Sequence, residues 1–226
     1  MTERVAIVVG AGGELGRETV VKLAAAGFTV VGVDRNEDGL KELPDGIRSE
    51  VADASDPAVA KQVVDRIATE VGPPEVLVNT LGTYHLGGVL DATPEDLRLM
   101  LDVNTGPALW LSQAVAPYMR DAGTGAIVHV AARPGLEPTP GLTTYSVSKA
   151  ALVHLTRVLD VELRPLGIRV NAVAPMILDT AKNRPYLPPD QLAHAVAPEA
   201  VAGIIAFLVS EAAAPISGAV IPTYGA

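Results

Sequence analysis

The chain has 226 residues, a formal charge of −9 and no cysteine, which excludes disulfides, thiolate metal sites and a cysteine nucleophile. The acidic balance argues against nucleic acid and against an anionic membrane surface as partners, and leaves a small-molecule substrate as the better match. Apolar content comes mainly from Ala, Val, Leu and Gly, with aromatic residues at 4%, a mix suited to helices packed closely on a parallel sheet.

Met1-Thr-Glu-Arg4 runs straight into a first strand, Val5 to Val9, with no signal-peptide stretch before it. The strand ends in Gly10-Ala-Gly-Gly-Glu-Leu-Gly16, and Arg17 to Ala26 carries a helical pattern that stops at Gly27. A strand, a glycine-rich turn and a helix let the backbone approach a pyrophosphate, whose charge the helix N-terminus favours. Taken alone, such a glycine cluster is a weak signal. A second strand, Phe28 to Val33, is followed by Asp34. That is about 20 residues past the turn, where a carboxylate can accept hydrogen bonds from ribose hydroxyls and repel a 2′-phosphate. NAD(H) is therefore the preferred cofactor, while the adjoining Arg35 keeps NADP(H) open.

Ile47 to Val51 reads as a third strand, closed by Ala52-Asp53, and Asp56-Pro57 as an N-cap opening a helix through Val71. A fourth strand, Glu75 to Asn79, precedes Thr80-Leu-Gly82, and Thr93-Pro-Glu-Asp96 has the grammar of a capping box. Asn104 stands inside a helical pattern just before Gly106-Pro107. Neither Asn nor Gly-Pro favours helix continuation, so either two helices meet here or the Asn is kept for its amide. Gly125 to Val130 is a fifth strand, Thr144 to Leu163 a long helix and Ile168 to Ala174 a sixth strand. Pro185 to Pro189 reads as loop, Pro198 to Ser210 as helix and Gly218 to Pro222 as a last strand. The longest apolar helix candidate, Val201 to Val209, falls far short of the roughly 20 residues of a bilayer span, and a soluble cytoplasmic protein is expected. Strands alternate with helices without a linker or a repeat. Residues 1–226 are therefore expected to form a single Rossmann-like, doubly wound α/β domain of about seven parallel strands with helices on both faces. Ligands of such sheets sit beyond the carboxyl ends of the strands, so Gly10, Asp34, Asp53, Asn79, Ala132 and Pro175 should line one rim.

The long helix carries Tyr145 and Lys149 at i,i+4, neighbours on one face. A Lys ammonium there stabilises a phenolate and should pull the Tyr pKa down from about 10, giving a proton donor and acceptor near neutral pH. On its own the pair would more often be a surface Tyr near a surface Lys.

With these residues in place, the chain resembles the short-chain dehydrogenase/reductase family over essentially its whole length. The matches are Gly10-x-x-x-x-Leu15-Gly16, Asp53, Asn79-Thr-Leu-Gly82, Asn104, Tyr145-x-x-x-Lys149 and Pro175-x-x-x-x-Thr180. The resemblance implies an NAD(P)(H)-dependent oxidoreductase with Tyr145 as acid and base. Lys149 would lower the Tyr145 pKa and hold the nicotinamide ribose, and Asn104 would anchor a water between Lys149 and solvent. Thr180 and the backbone at Ile177 would fix the carboxamide. Leu15, Asp53 with Ala54, and Asn79, Leu81 and Gly82 would line the cofactor. Relatives commonly associate through the helix after Asn104 and the Tyr145 helix, implying a homodimer or homotetramer.

Three positions depart from the family pattern. Glu14 replaces the middle glycine of the turn and is expected to point to solvent, away from the pyrophosphate. Met176 stands where a glycine usually follows Pro175, and its flexible side chain suits the floor of a substrate pocket. Ala132, 13 positions before Tyr145, replaces the family's active-site serine. Losing such a donor commonly costs about 2.7–4 kcal/mol of transition-state stabilisation, so ordinary ketone reduction is expected to be poor. Thr143 and Thr144 sit where hydroxyls cap a helix rather than where they would substitute. Dihydropteridine reductases share the alanine, and Thr139-Pro-Gly-Leu-x-x-Tyr145 and Leu178-Asp-Thr-x-x-Asn-Arg184 are similar to that branch. This implies a quinonoid dihydropterin or another conjugated imine or enone as substrate. A non-catalytic NAD-binding sensor or interaction protein is the alternative, against which the intact Asn104, Tyr145 and Lys149 argue. Tyr84, His85, Ala132, Met176 and Tyr186 are the expected substrate contacts. His129, His154 and His194 are read as structural or surface residues and Trp110 as core or subunit interface. No cluster has metal-ligand spacing.

Overall fold

Seven segments pair into one sheet in the computed structural model, which describes residues 4–225; Met1 to Glu3, read above as the lead-in to the first strand, and Ala226 lie outside the described residues. The strands are β1 (Val5–Val9), β2 (Thr29–Asp34), β3 (Arg48–Val51), β4 (Pro74–Asn79), β5 (Gly125–Val130), β6 (Ile168–Pro175) and β7 (Val220–Thr223). Their order is β3-β2-β1-β4-β5-β6-β7, and every neighbouring pair is parallel.

Side chains alternate across this sheet, so the central strands feed two apolar layers, while the polar edge strand β3 is largely exposed. Ala6 and Val8 of β1, with Val76, Val78 and Val128, pack under α1 (Glu14–Ala25) and α8 (Pro198–Val209). Val5, Ile7 and Val9, with Leu77 and Ile127, pack under α3 (Pro57–Glu70) and α5 (Gly106–Ala122). All five residues of β1 are buried, as are all six of β5, which is why those strands read as continuous apolar runs rather than as alternating ones.

Helix starts follow the local chemistry. The Asp56 carboxylate accepts from the amides of Ala58 and Val59 at 2.8 and 3.0 Å. Thr93 and Asp96 form a reciprocal capping box at the head of α4 (Pro94–Asn104). Thr105 alone separates α4 from α5. The long helix α6 spans Thr143–Leu163. Contrary to expectation, no side-chain hydroxyl caps it: Leu142 is the N-cap, and Thr144 is buried in the first turn. The first helix starts at Glu14, three residues earlier than its apolar pattern suggests, because the glycine segment itself supplies the first turn. Two one-turn helices, α2 (Glu37–Leu40) and α7 (Pro189–Leu192), are too short to show a period.

Because every strand runs the same way, the strand ends at Val9, Asp34, Val51, Asn79, Val130 and Pro175 lie along one edge. Strand order reverses at β1, between β2 and β4, and the crevice there is where doubly wound sheets bind ligands. Among the described residues no helix is long and apolar enough to cross a membrane.

Candidate active site

The turn after β1 is so tight at Gly10 and Gly16 that no Cβ fits at either position. A Cβ at Gly16 would lie 2.1 Å from the Gly10 carbonyl oxygen, and one at Gly10 2.4 Å from the Thr80 hydroxyl. These contacts seat α1 directly behind β1, with the free amides of its first turn facing the rim. The Asp34 carboxylate is clamped over the turn, accepting from the Gly12 amide through Oδ2 and from the Asn36 amide through Oδ1, each at 2.9 Å. Arg35 turns outward, 73% exposed, with Nη1 3.4 Å from Asp53 Oδ2. The Ser55 hydroxyl, helped by the Ser55 amide and Arg35, holds the Asp53 carboxyl below its ordinary value against the cost of burial. Ala54 beside it is buried. At the end of β4, Asn79 Oδ1 accepts from the Leu81 amide at 3.0 Å, and the Thr80 hydroxyl donates to the Val9 carbonyl at 2.9 Å. The two strand ends that flank the crevice are thereby tied together.

A second cluster lies where α4, α5 and α6 meet. Asn104 is 1% exposed. Its Oδ1 accepts from the Thr83 amide at 2.9 Å and its Nδ2 donates to Ser148 Oγ at 3.0 Å. Ser148 Oγ donates to the Tyr145 carbonyl at 2.8 Å, and the Thr105 hydroxyl donates to the Ser148 carbonyl at 2.8 Å. Both readings of this sequence therefore hold: two helices meet at Thr105, and Asn104 is kept for its amide. Lys149, 3% exposed, donates from Nζ to the Val130 carbonyl at 2.8 Å. A Cβ on Gly82 would come within 3.1 Å of both Asn104 Oδ1 and Lys149 Nζ, so a glycine is what lets the chain pass over them.

The electrostatics of this cluster correct one expectation. Burial pushes the Tyr145 phenol up to about 12 and the Lys149 amine down to about 8. Desolvation disfavours both charged forms, and it outweighs the stabilisation of a phenolate by a neighbouring ammonium. In the protein alone Tyr145 is a held proton, not a poised phenolate. His129 is wholly buried, with Nε2 3.3 Å from Ser112 Oγ. Burial first, and then the charge of Lys149, push it down to about 3, so it is neutral.

On the substrate side, Tyr84 meets Tyr145 edge-on, with ring centroids 6.5 Å apart at 73°. The loop carrying Tyr84 is fixed to the entry of α6: the Gly87 amide donates to the Gly141 carbonyl at 2.9 Å, and the Thr143 amide to the Gly87 carbonyl at 3.1 Å. His85 turns to the α4 capping box, with Nε2 3.6 Å from Asp96 Oδ1. Ala132 is 4% exposed at the end of β5. Next to it, Arg133 donates to Glu137 at 2.8 Å, reaches Met176 Sδ at 3.3 Å and lies 5.2 Å over the Tyr224 ring. This wall draws on three strand ends, and sequence reasoning assigned Arg133, Glu137 and Tyr224 no role; the one local signal is that Arg133 directly follows Ala132. Pro175 is buried at the end of β6. The Ile177 carbonyl accepts from the Val196 amide at 2.7 Å, and Thr180 Oγ1 accepts from the Asn183 amide at 3.2 Å. Tyr186 is 78% exposed.

Glu14 gives a second correction. Its carboxylate is not free in solvent but accepts, at an exposed position, from the Ala181 amide at 2.8 Å. The first turn of α1 faces the segment after Thr180, and the nearest donor is on that segment. Among the described residues no group of three or more His, Cys, Asp or Glu is arranged to hold a metal ion.

This chain belongs to the short-chain dehydrogenase/reductase family, whose short chain dehydrogenase profile matches residues 4–190. It is 31% identical over 239 aligned residues to the 4-formylbenzenesulfonate dehydrogenase of Comamonas testosteroni, covering 96% of this chain and 95% of that protein. A 7 alpha-hydroxysteroid dehydrogenase solved with NADH and 7-oxo glycochenodeoxycholic acid superposes with a TM-score of 0.93 at 28% identity, covering 99% of this chain and 94% of that one. A variant actinorhodin polyketide ketoreductase solved with NADPH gives 0.89 at 26% identity, covering 99% and 96%. The chain is thus an oxidoreductase of the short-chain type.

Proposed function

We propose that the protein transfers hydride between NAD(H), in preference to NADP(H), and a small conjugated substrate, with Tyr145 giving the proton in reduction and taking it in the reverse direction. The observation that carries this reading is the half-buried Tyr145, set edge-on to Tyr84 above the buried Lys149 and Asn104, together with an alanine at 132. The cofactor, when bound, supplies the hydride. The chain's own task is to bind, orient and supply a proton. The glycine turn and the head of α1 suit the pyrophosphate, Asp34 the adenosine ribose, and Thr180 with the backbone at Ile177 the carboxamide.

Substrate class follows from what is missing. Without a hydroxyl at 132, an oxygen developing full charge would have one donor, Tyr145. A conjugated imine or enone spreads that charge over several atoms, and a single phenol suffices. A quinonoid dihydropterin is the specific form of this reading, supported by Ala132 and by the sequences of the two flanking loops. A non-catalytic NAD-binding role is the second reading, favoured by Ala132 together with Glu14. The two separate in one assay series: an enzyme oxidises NADH with quinonoid dihydropterin, whereas a sensor binds NADH and leaves it unchanged across quinonoid, enone and ketone panels.

We also propose a cytoplasmic homodimer or homotetramer formed through α5 and α6. Val147, Val158 and Val161 of α6 are exposed, Val161 by 69%, which supports a covered face there. Sedimentation equilibrium would give a multiple of the 23.3 kDa chain mass; a monomer at assay concentration would refute it.

A further inference from the structure

We propose that Glu14 is an internal stand-in for the cofactor's pyrophosphate, strapping the head of α1 to the segment after β6, so that cofactor binding must displace it. The proposal rests on the reading of this cleft as a dinucleotide site. Glu14 is the first residue of α1, where the free amides and the positive end of the helix dipole attract an anion. Gly13, the N-cap, offers no side chain to those amides, so the carboxylate is the anion nearest to them in sequence. The residue is half-buried, and its Oε1 accepts from the Ala181 amide at 2.8 Å in an exposed bond.

The segment it reaches is otherwise well fastened. The Leu178 backbone bridges to Val196, Asn183 Nδ2 donates to the Leu178 carbonyl at 3.0 Å, and Arg184 Nε donates to Asp179 at 2.5 Å. Arg184 is held above its ordinary value by its hydrogen bond to Asp179 first and by the charge of Asp179 and Glu14 after that, so a cation also faces the strap. One carboxylate thus links, across the mouth of the cleft, the two elements that a bound pyrophosphate would meet: a helix N-terminus and a backbone donor next to Thr180. A glycine at this position would leave both free. A dinucleotide entering the cleft must break the Glu14 contact and either expel the carboxylate or bear its charge close by, and both lower affinity.

The test compares full-length wild type with Glu14→Ala, which removes the strap, and Glu14→Gln, which keeps the acceptor and removes the charge. Binding is read by fluorescence titration for NADH and by calorimetry for ADP-ribose and adenosine. The expected result is a Kd for NADH and for ADP-ribose about tenfold or more tighter in Glu14→Ala, an intermediate value in Glu14→Gln, and an unchanged Kd for adenosine, which has no phosphate. NADH and ADP-ribose constants within about twofold of wild type in both variants would overturn the strap while leaving the dinucleotide site standing. Tightening that extended equally to adenosine would also overturn it, since it would mark a general loosening of the cleft. Absence of NADH binding by wild type and both variants would refute the dinucleotide reading, and the strap with it.

Discussion

Lys149 Nζ donates to the main-chain carbonyl of Val130 at 2.8 Å from a position 3% exposed, one helical turn from a phenol that burial pushes up to about 12. The amine is itself pushed down to about 8 from 10.5 by burial. Burial shifts each group toward its neutral form, although Lys149 still carries its proton at neutral pH, and each leaves a mark on stability as a function of pH.

For Lys149 the unfolded chain binds a proton that the folded protein lacks between pH 8 and 10.5, so stability rises with pH across that window. The full shift corresponds to on the order of 3 kcal/mol. Urea unfolding at about pH 7.5 and about pH 10 should show this gain in wild type, and Lys149→Met should lose it. Tyr145 acts in the opposite sense. Its folded value of about 12 against 10 means that stability falls as pH rises from 10 to 12, and Tyr145→Phe should remove that fall.

Asn104 holds three elements through one amide. Asn104→Ala leaves the Thr83 amide and the Ser148 hydroxyl without this partner in a buried place, at a cost of roughly 1–3 kcal/mol. For a chain of this size that is a drop in Tm of about 2–4 °C per kcal/mol, measurable by calorimetry. An unchanged Tm would show that other groups satisfy both partners.

Asp34 fixes the glycine turn and faces the crevice at the same time. On the proposed NAD(H) reading, Asp34→Ala should weaken NADH binding and narrow the proposed preference over NADPH by about tenfold or more, because a carboxylate placed to repel a 2′-phosphate is gone. Titration with both cofactors checks this. A preference that stayed intact would move discrimination to other residues, Arg35 and Asp53 first.

Ala132→Ser restores a hydroxyl at the end of β5, within the wall built by Arg133 and Met176. Turnover of simple ketones should rise by up to about 10²-fold, the lower end of what one such donor supplies. Activity toward conjugated substrates should change little. No gain on ketones would show that position 132 does not face the reacting atom.

Most of the fold is legible from residue order. β1 and β5 fall at Val5–Val9 and Gly125–Val130 because each buried strand is a clean aliphatic run between breakers. The starts of α3 and α4 are written in Asp56-Pro57 and in Thr93 with Asp96. Helices of four residues, α2 and α7, show no period to read. At the candidate site, residue types and spacing single out Tyr145, Lys149 and Asn104, which the structure brings together, but not the protonation of Tyr145 and Lys149, since a pKa answers to burial by distant segments. The direction of Glu14 is likewise hidden, because its partner Ala181 lies 167 positions away. The Arg133, Glu137 and Tyr224 wall depends on the ends of β5, β6 and β7 lying side by side, a tertiary fact.

The central claim is that Tyr145 supplies the proton for hydride transfer to a conjugated substrate, and steady-state NADH oxidation with quinonoid dihydropterin by wild type and Tyr145→Phe tests it most directly. Wild type should turn over readily, and Tyr145→Phe should lose about 10²–10⁴-fold in kcat with its Kd for NADH essentially unchanged. Equal rates in the two proteins, or NADH bound by wild type and never oxidised, would contradict it.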